Sequence, residues 1–199
     1  MSAPFLLRQL AGKPMTPPSL AESALILIDA QNTYRSGTMA LTGIEPALDA
    51  CARLLARARR LGVPVIHVQH DSGPGSLFDI RAGIGAIADT VAPVDGEPLV
   101  VKRLPNAFVG TELEAVLKEK GVKNLVIAGF MTHNCVNSTA RGAYSLGYGV
   151  TVPADCTATR SLPALGGGVV SAEALQTSVL ATLADVFAIV VATEEAIPD

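Results

Sequence analysis

An α/β fold, built on a mainly parallel sheet with helices on both faces, is what this sequence predicts, and three observations predict it. Short apolar runs alternate with helix-compatible stretches along most of the 199 residues. The runs at 24–28 (ALILI) and 124–128 show no polar alternation, as expected of strands buried on both faces. Glycines at 62 and 121 close two helical stretches just before the next apolar run begins.

The elements follow in order. Residues 1–22 carry Pro4, Pro14, Pro17 and Pro18 and read as an extended arm. Ala24–Ile28 is the first strand, with Asp29 at its carboxyl end, and 30–43 is a polar loop. Ile44–Leu61 is an amphipathic helix with Leu48, Leu54, Leu55, Ala58 and Leu61 on one face and arginines opposite. Pro64 opens the second strand, VPVIHVQ. Residues 70–96, rich in Gly and Pro, read as irregular with short helical pieces. Pro98–Val101 is a third strand ending at Lys102, and Thr111–Lys120 is a helix. The fourth strand, Asn124–Ala128, ends at Gly129. After the bend Phe130–Met131–Thr132 comes a helix of small residues reaching Gly147, for which Thr132 is the natural N-cap. Gly149–Pro153 is a fifth strand, 157–168 a Pro/Gly loop, Ser171–Leu183 a helix and Val186–Val191 the last strand. With no repeat or linker, one domain over 1–199 is expected.

Composition narrows the partners. Hydrophobic residues make up 49% and charged residues 17%, and the net charge is −3. Mixed charge of that size gives no footprint for nucleic acid or an anionic membrane, and no apolar run approaches a membrane span. Three widely spaced cysteines without a C-x-x-C fit a reducing cytoplasm better than a disulfide framework. The apolar excess and the N-terminal arm suggest a homodimer or homotetramer.

In parallel sheets ligands gather at the carboxyl ends of the strands. Asp29, Lys102 and, one bend later, Cys135 all stand there: a carboxylate, an ammonium and a thiol brought together without proximity in sequence. Each has a plainer reading, as turn residue, solvated rim charge or packing thiol, but the three at equivalent strand ends make a cysteine-based site. In the first turn of a helix Cys135 sits among unpaired N–H groups at the positive end of the dipole. That position and Lys102 favour thiolate; Asp29 opposes it, so that the two share one proton. His133 is no partner for this thiol, because two residues on a helix subtend about 200°.

These residues lie in LILIDAQNTY, VVKRLPNAFVGTEL and VIAGFMTHNCVNSTARGAYSLGYGVTVPADCTATR, and there the chain resembles the isochorismatase-like cysteine hydrolases, which include nicotinamidases and N-carbamoylsarcosine amidohydrolase. The resemblance runs from about Ala24 to Val191. It implies a Rossmann-like three-layer α/β/α domain with a six-stranded sheet, a triad of Asp29, Lys102 and Cys135, a cis peptide between Phe130 and Met131, and an oxyanion hole from the backbone N–H groups of Met131 and Cys135. Isochorismatases proper lack the cysteine, so Cys135 points to acyl chemistry: cleavage of a C–N bond in a small amide, carbamoyl compound or ureide through a thioester. Nicotinamidases carry an Asp-x-His metal motif. The comparable VIHVQHDSGPG has none, so neither metal nor other cofactor is expected.

Gln31, Tyr34, Phe108 and His133 are candidates to line the substrate pocket, and packing or capping is an equal reading of each. His70 is a candidate for its border, whereas His67 reads as a sheet-face histidine, and Cys51 and Cys156 as structural. Three rivals remain. A haloacid-dehalogenase-like phosphatase needs a second Asp where Gln31 stands. A nucleotide-binding module lacks its glycine motif. A thiol redox sensor would need Cys156 to approach Cys135 in space.

Overall fold

The computed structural model of the protein describes residues 4–199. Its strands are β1 (Ala24–Ile28), β2 (Val65–His70), β3 (Leu99–Lys102), β4 (Asn124–Phe130), β5 (Gly149–Pro153), the short β6 (Thr157–Ala158), β7 (Leu162–Pro163) and β8 (Val169–Val170), and β9 (Ile189–Val191). Helices are α1 (Leu7–Leu10), α2 (Ile44–Arg60), α3 (Leu113–Glu119), α4 (Asn137–Ser145) and α5 (Ala172–Thr182). The main sheet runs β3-β2-β1-β4-β5-β9, all parallel, with β6 paired to the end of β4. The chain builds outward from β1 to β3, then returns to lay β4 on the free side of β1. That reversal makes the carboxyl ends of β1 and β4 a topological switch point, the place where such sheets commonly hold ligands.

Burial of β1 on both faces explains its unbroken apolar sequence. Leu25 and Leu27 join one core with Leu48, Leu54 and Leu55 of α2. Ala24, Ile26 and Ile28 join another with Leu113 and Leu117 of α3 and Ala140 and Ala143 of α4. Three helices stop in the same way. After α2, α3 and α4, the N–H groups of Gly62, Gly121 and Gly147 bond back to Arg59, Lys118 and Tyr144. Those of Val63, Val122 and Tyr148 bond to Ala58, Leu117 and Ala143. This is the 6→1 and 5→2 pairing of the Schellman motif, and each stop feeds the next strand.

Several boundaries differ from the sequence reading. β4 does not end at Gly129 but runs on to Phe130, with Gly129 at φ 114° inside the strand. A Cβ at Gly129 would run into the backbone of Ile28, its partner in β1, so the missing side chain lets the two central strands close up. The peptide between Phe130 and Met131 is cis. Thr132 is not the N-cap: Met131 holds that place, and Thr132–Val136 form a π-helical turn that passes into α4, which ends at Ser145. Leu61 is the cap of α2 and stands exposed instead of in the core. β9 begins only at Ile189, because a second π-helical turn, Leu183–Phe187, extends α5.

The loops are more ordered than the composition suggests. The described part of the N-terminal arm holds α1 and folds back on its own chain: Leu7 N–H donates to Asp185 Oδ1 (2.8 Å) and Lys13 Nζ to the Tyr144 hydroxyl (2.6 Å). Residues 1–3 of that arm lie outside the described residues. Loop 70–96 is irregular apart from one 3-10 turn, Asp89–Val91, and Arg81 ties it together through ion pairs to Asp71 (2.7 Å) and Asp79 (2.6 Å). Loop 157–168 contains β6 and β7, and β7 pairs antiparallel with β8 just beyond it.

Gly129→Ala tests the close approach of β1 and β4. Overpacking there is expected to cost about 3 kcal/mol, measured as a lower midpoint of urea unfolding with an unchanged slope.

Candidate active site

Four neighbouring strands, in the spatial order β3, β2, β1, β4, present Lys102, His70, Asp29 and Cys135 at their carboxyl ends. Lys102 is the last residue of an edge strand whose side chains alternate outward and inward; Val100 and Lys102 point inward. Adjacent strands lie about 4.8 Å apart, so only a long side chain can pass from β3 across β2 to the group following β1. Lys102 does so. Its Nζ stands 2.7 Å from Asp29 Oδ2, donates to Cys135 Sγ at 3.2 Å, and lies 3.1 Å from His70 Nδ1.

Asp29 is turned into the cluster by its backbone. It is the one described non-glycine residue with positive φ (49°), a left-handed conformation that Asp tolerates better than most residues. Its N–H stays tied to the sheet through Val68 O (2.8 Å). Cys135 comes from the π-helical turn, which sets its thiol against the second core beside Ile28, Val68 and Val100.

The cluster is closed to solvent: Asp29 is 0%, Lys102 1% and Cys135 4% exposed. Burial dominates its electrostatics. Loss of hydration pushes the Asp29 carboxyl above the usual carboxylate range, against the opposing charge and hydrogen bond of Lys102. The Cys135 thiol is pushed up to about 12, first by burial and then by the charge of Asp29, with Lys102 pulling the other way. Of the opposing influences on the shared proton, burial and Asp29 prevail over the helix terminus and Lys102 at Cys135. Desolvation outweighs the dipole and biases Cys135 toward its neutral thiol, with Asp29 held in the same buried cluster.

The proposed pocket residues have mixed placements. Gln31 is buried and fully engaged: its amide bonds to both backbone groups of His70 and to Gly85 O. Tyr34 packs edge-on to Phe78 and Phe130 (5.6 and 6.0 Å), and burial with the nearby charges of Asp29 and Cys135 raises its phenol. His133 is partly buried with Nδ1 2.5 Å from Thr159 Oγ1, and burial together with Arg160 lowers its proton affinity. Phe108 stacks on Tyr148 and borders a surface groove with Asn106, Glu114 and Arg141 instead of the triad. Met131 lies at the bend, 5% exposed.

Two residues escaped sequence reasoning. His70 was placed at the pocket border but not on Lys102; the signal was the β2–β3 register, which pairs the two. Arg160 closes the segment DCTATR, and its charge is felt by both Tyr34 and His133. Its Nε is buried without a hydrogen-bond partner, and among the described residues no carboxylate pairs with it.

His67 turns the other way, its Nε2 2.8 Å from Glu97 Oε2. Among the described residues no group of three His, Cys, Asp or Glu could hold a metal ion. All three cysteines are free. Cys51 bonds to Cys156 O (3.3 Å) in the first core, on the opposite face from Cys135. A groove of about 540 Å³ near Thr159 is walled by α2 and includes Arg53, Asp155 and Gln176, but no triad residue lines it.

Residues 23–195 match the family described as Isochorismatase domain. A secreted isochorismatase effector, Isc1, of Verticillium dahliae is 33% identical over 189 residues, 94% of this chain and 97% of that protein. The ureidoacrylate amidohydrolase RutB of Stutzerimonas stutzeri is 33% identical over 69% of this chain and 70% of its own length. Among solved structures, an isochorismatase from Pseudomonas putida KT2440 superposes with a TM-score of 0.94 at 38% identity, covering 98% of this chain and all of that one. No described helix is long and apolar enough to cross a membrane.

The raised thiol pKa sets a pH test. Alkylation of Cys135 by iodoacetamide should be slow at pH 7 and climb steadily into the alkaline range. Asp29→Asn should speed it at pH 8, since the anion raising the thiol is gone, and Lys102→Met should slow it. Residue-resolved mass spectrometry reads the rates.

Proposed function

Because the chain belongs to the isochorismatase family, and because a carboxylate, an ammonium and a thiol meet in one buried cluster, we propose that it is a cysteine hydrolase cleaving a C–N bond of a small molecule. The observation that carries this is Lys102 Nζ within reach of both Asp29 Oδ2 (2.7 Å) and Cys135 Sγ (3.2 Å). With the thiol protonated at rest, the attack is a general-base step. Sulfur bonds to the acyl carbon as its proton passes to Asp29, and the carbonyl oxygen takes up the electron pair. The N–H groups of Met131 and Cys135 receive that oxyanion. Asp29 hands its proton to the leaving nitrogen as the C–N bond breaks, giving a thioester and an amine. A water deprotonated by Asp29 then attacks the thioester, releasing the acid and restoring the thiol. Lys102 offsets the charge on whichever partner carries it.

Arg160 narrows the substrate class. A guanidinium without a carboxylate partner, beside Tyr34 and His133, suits a substrate that brings its own carboxylate, as an N-carbamoyl or ureido acid does. Of the proposed pocket residues Gln31, Tyr34, Phe108 and His133, Tyr34 and His133 keep geometric support, while Gln31 is engaged by His70 and Gly85 and Phe108 faces a separate groove. The redox-sensor reading loses its resolving thiol, since Cys156 pairs with Cys51 on the other face of the sheet. We also propose that the chain works without metal and assembles as a homodimer or homotetramer. The exposed Phe5, Leu7 and Leu10 of the arm and Leu165 and Val169 near the β7–β8 pair favour assembly.

An ammonia-release screen over small amides, ureides and carbamoyl acids tests the function. Cys135→Ala, Asp29→Asn and Lys102→Ala are each expected to lower kcat by at least about 10³-fold, with double variants little worse than the worst single one. Retention of near-native turnover by Cys135→Ala would refute the nucleophile. Exhaustive chelation should leave the rate unchanged, and activity restored only by a divalent ion would overturn metal independence.

Arg160→Met should raise KM for carboxylate-bearing substrates by about 10- to 100-fold while sparing neutral amides. Equal losses on both classes would remove the carboxylate assignment.

A further inference from the structure

Lys102 has three N–H bonds to place and no contact with water. Two face the groups the proposed reaction uses, Asp29 Oδ2 and Cys135 Sγ. The third acceptor is His70 Nδ1, 3.1 Å from Nζ. An ammonium can only donate, so His70 Nδ1 must offer a lone pair and the imidazole proton must sit on Nε2. There Ser72 Oγ stands 3.0 Å away as its acceptor.

We propose that His70 is a positioning residue. As a neutral Nε2–H imidazole it takes the third N–H of Lys102 and holds the ammonium between Asp29 and Cys135. This rests on the hydrolase reading of the triad. Without a third acceptor the buried ammonium would keep one N–H unpaired and be free to rotate toward its anion. The thiol would then lose the charge that offsets its developing negative sulfur.

The surroundings of His70 suit that task. Its β2 position pairs in register with Lys102 in β3, which puts both side chains on one face of the sheet. Its peptide is clamped by the Gln31 amide, which accepts from His70 N–H (2.9 Å) and donates to His70 O (3.0 Å). The same amide reaches Gly85 O (2.7 Å), tying the histidine to loop 70–96. Phe78 meets the ring edge-on at 5.1 Å. The charged groups facing the ring are Lys102 and Asp71, the latter engaged by Arg81. Burial and then Lys102 lower the imidazole to about 4, with Asp71 opposing, so it carries no charge at neutral pH. A second cation beside Lys102 would break the arrangement, and the local field prevents it.

Two measurements on the full chain test the proposal. Long-range ¹H–¹⁵N correlation spectra should show His70 as a single neutral Nε2–H tautomer from pH 8 down to pH 5. An Nδ1–H tautomer, or titration near the ordinary histidine value, would overturn the assignment without any assay of turnover. On the amide that releases most ammonia in the screen, His70→Leu should lower kcat about 10- to 100-fold with KM nearly unchanged. His70→Asn, whose Oδ1 can stand where Nδ1 does, should recover most of that loss. Equal impairment of both variants would mean packing, and wild-type kcat in both would mean no role; either outcome defeats the proposal. Cys135→Ala serves as the separating control. If it keeps turnover, the hydrolase reading fails while the tautomer result still stands on its own.

Discussion

A lysine ammonium sealed from water is the constraint around which this molecule is arranged. Lys102 is 1% exposed, and a buried cation is tolerated only when its charge and all its donors are met. Asp29 supplies the counter-charge at 2.7 Å, and Cys135 and His70 supply the remaining acceptors. These partners come from the ends of three other strands, so satisfying one side chain requires β1, β2, β3 and β4 to keep their order and register together. The same burial that makes the cation demanding also raises the proton affinities of Asp29 and Cys135.

Support for the cluster comes from the loops above it and the cores beneath. Gln31 fixes the peptide of His70, and Arg81 bridges Asp71 and Asp79 so that loop 70–96 holds its course. Thr42 pairs with Thr159, and Gln31 with Ile87, so loops 30–43, 70–96 and 157–168 are stitched to one another over the strand ends. Beneath them, the two apolar cores flank β1 and β4, and Gly129 lets those strands pack without an intervening Cβ.

Most of the fold was legible in the chain. ALILI has no polar position, so it had to be central, and the arginine-backed face of α2 had to lie on one side of it. Helix ends were legible where a glycine stood ready for a left-handed cap. What misled was local chemistry with a competing tertiary demand. Gly129 looked like a terminator and is instead a point of strand contact. Thr132 has the composition of an N-cap, yet it is fully buried and its hydroxyl has no hydrogen-bond partner. Phe108, close to Lys102 in sequence, follows Tyr148 away from the triad.

The sequence by itself determined the α/β class and the standing of Asp29, Lys102 and Cys135 at or just past strand ends, because strand periodicity acts locally along the chain. Tertiary structure alone decided the rest. Whether Cys135 is a thiolate depends on how much water the packed helices exclude. Whether His70 meets Lys102 depends on the register of two strands separated by a long loop. Whether Arg160 has a partner depends on which carboxylates end up near it. Those are properties of dielectric and of distance in space, and neither is written in the order of residues.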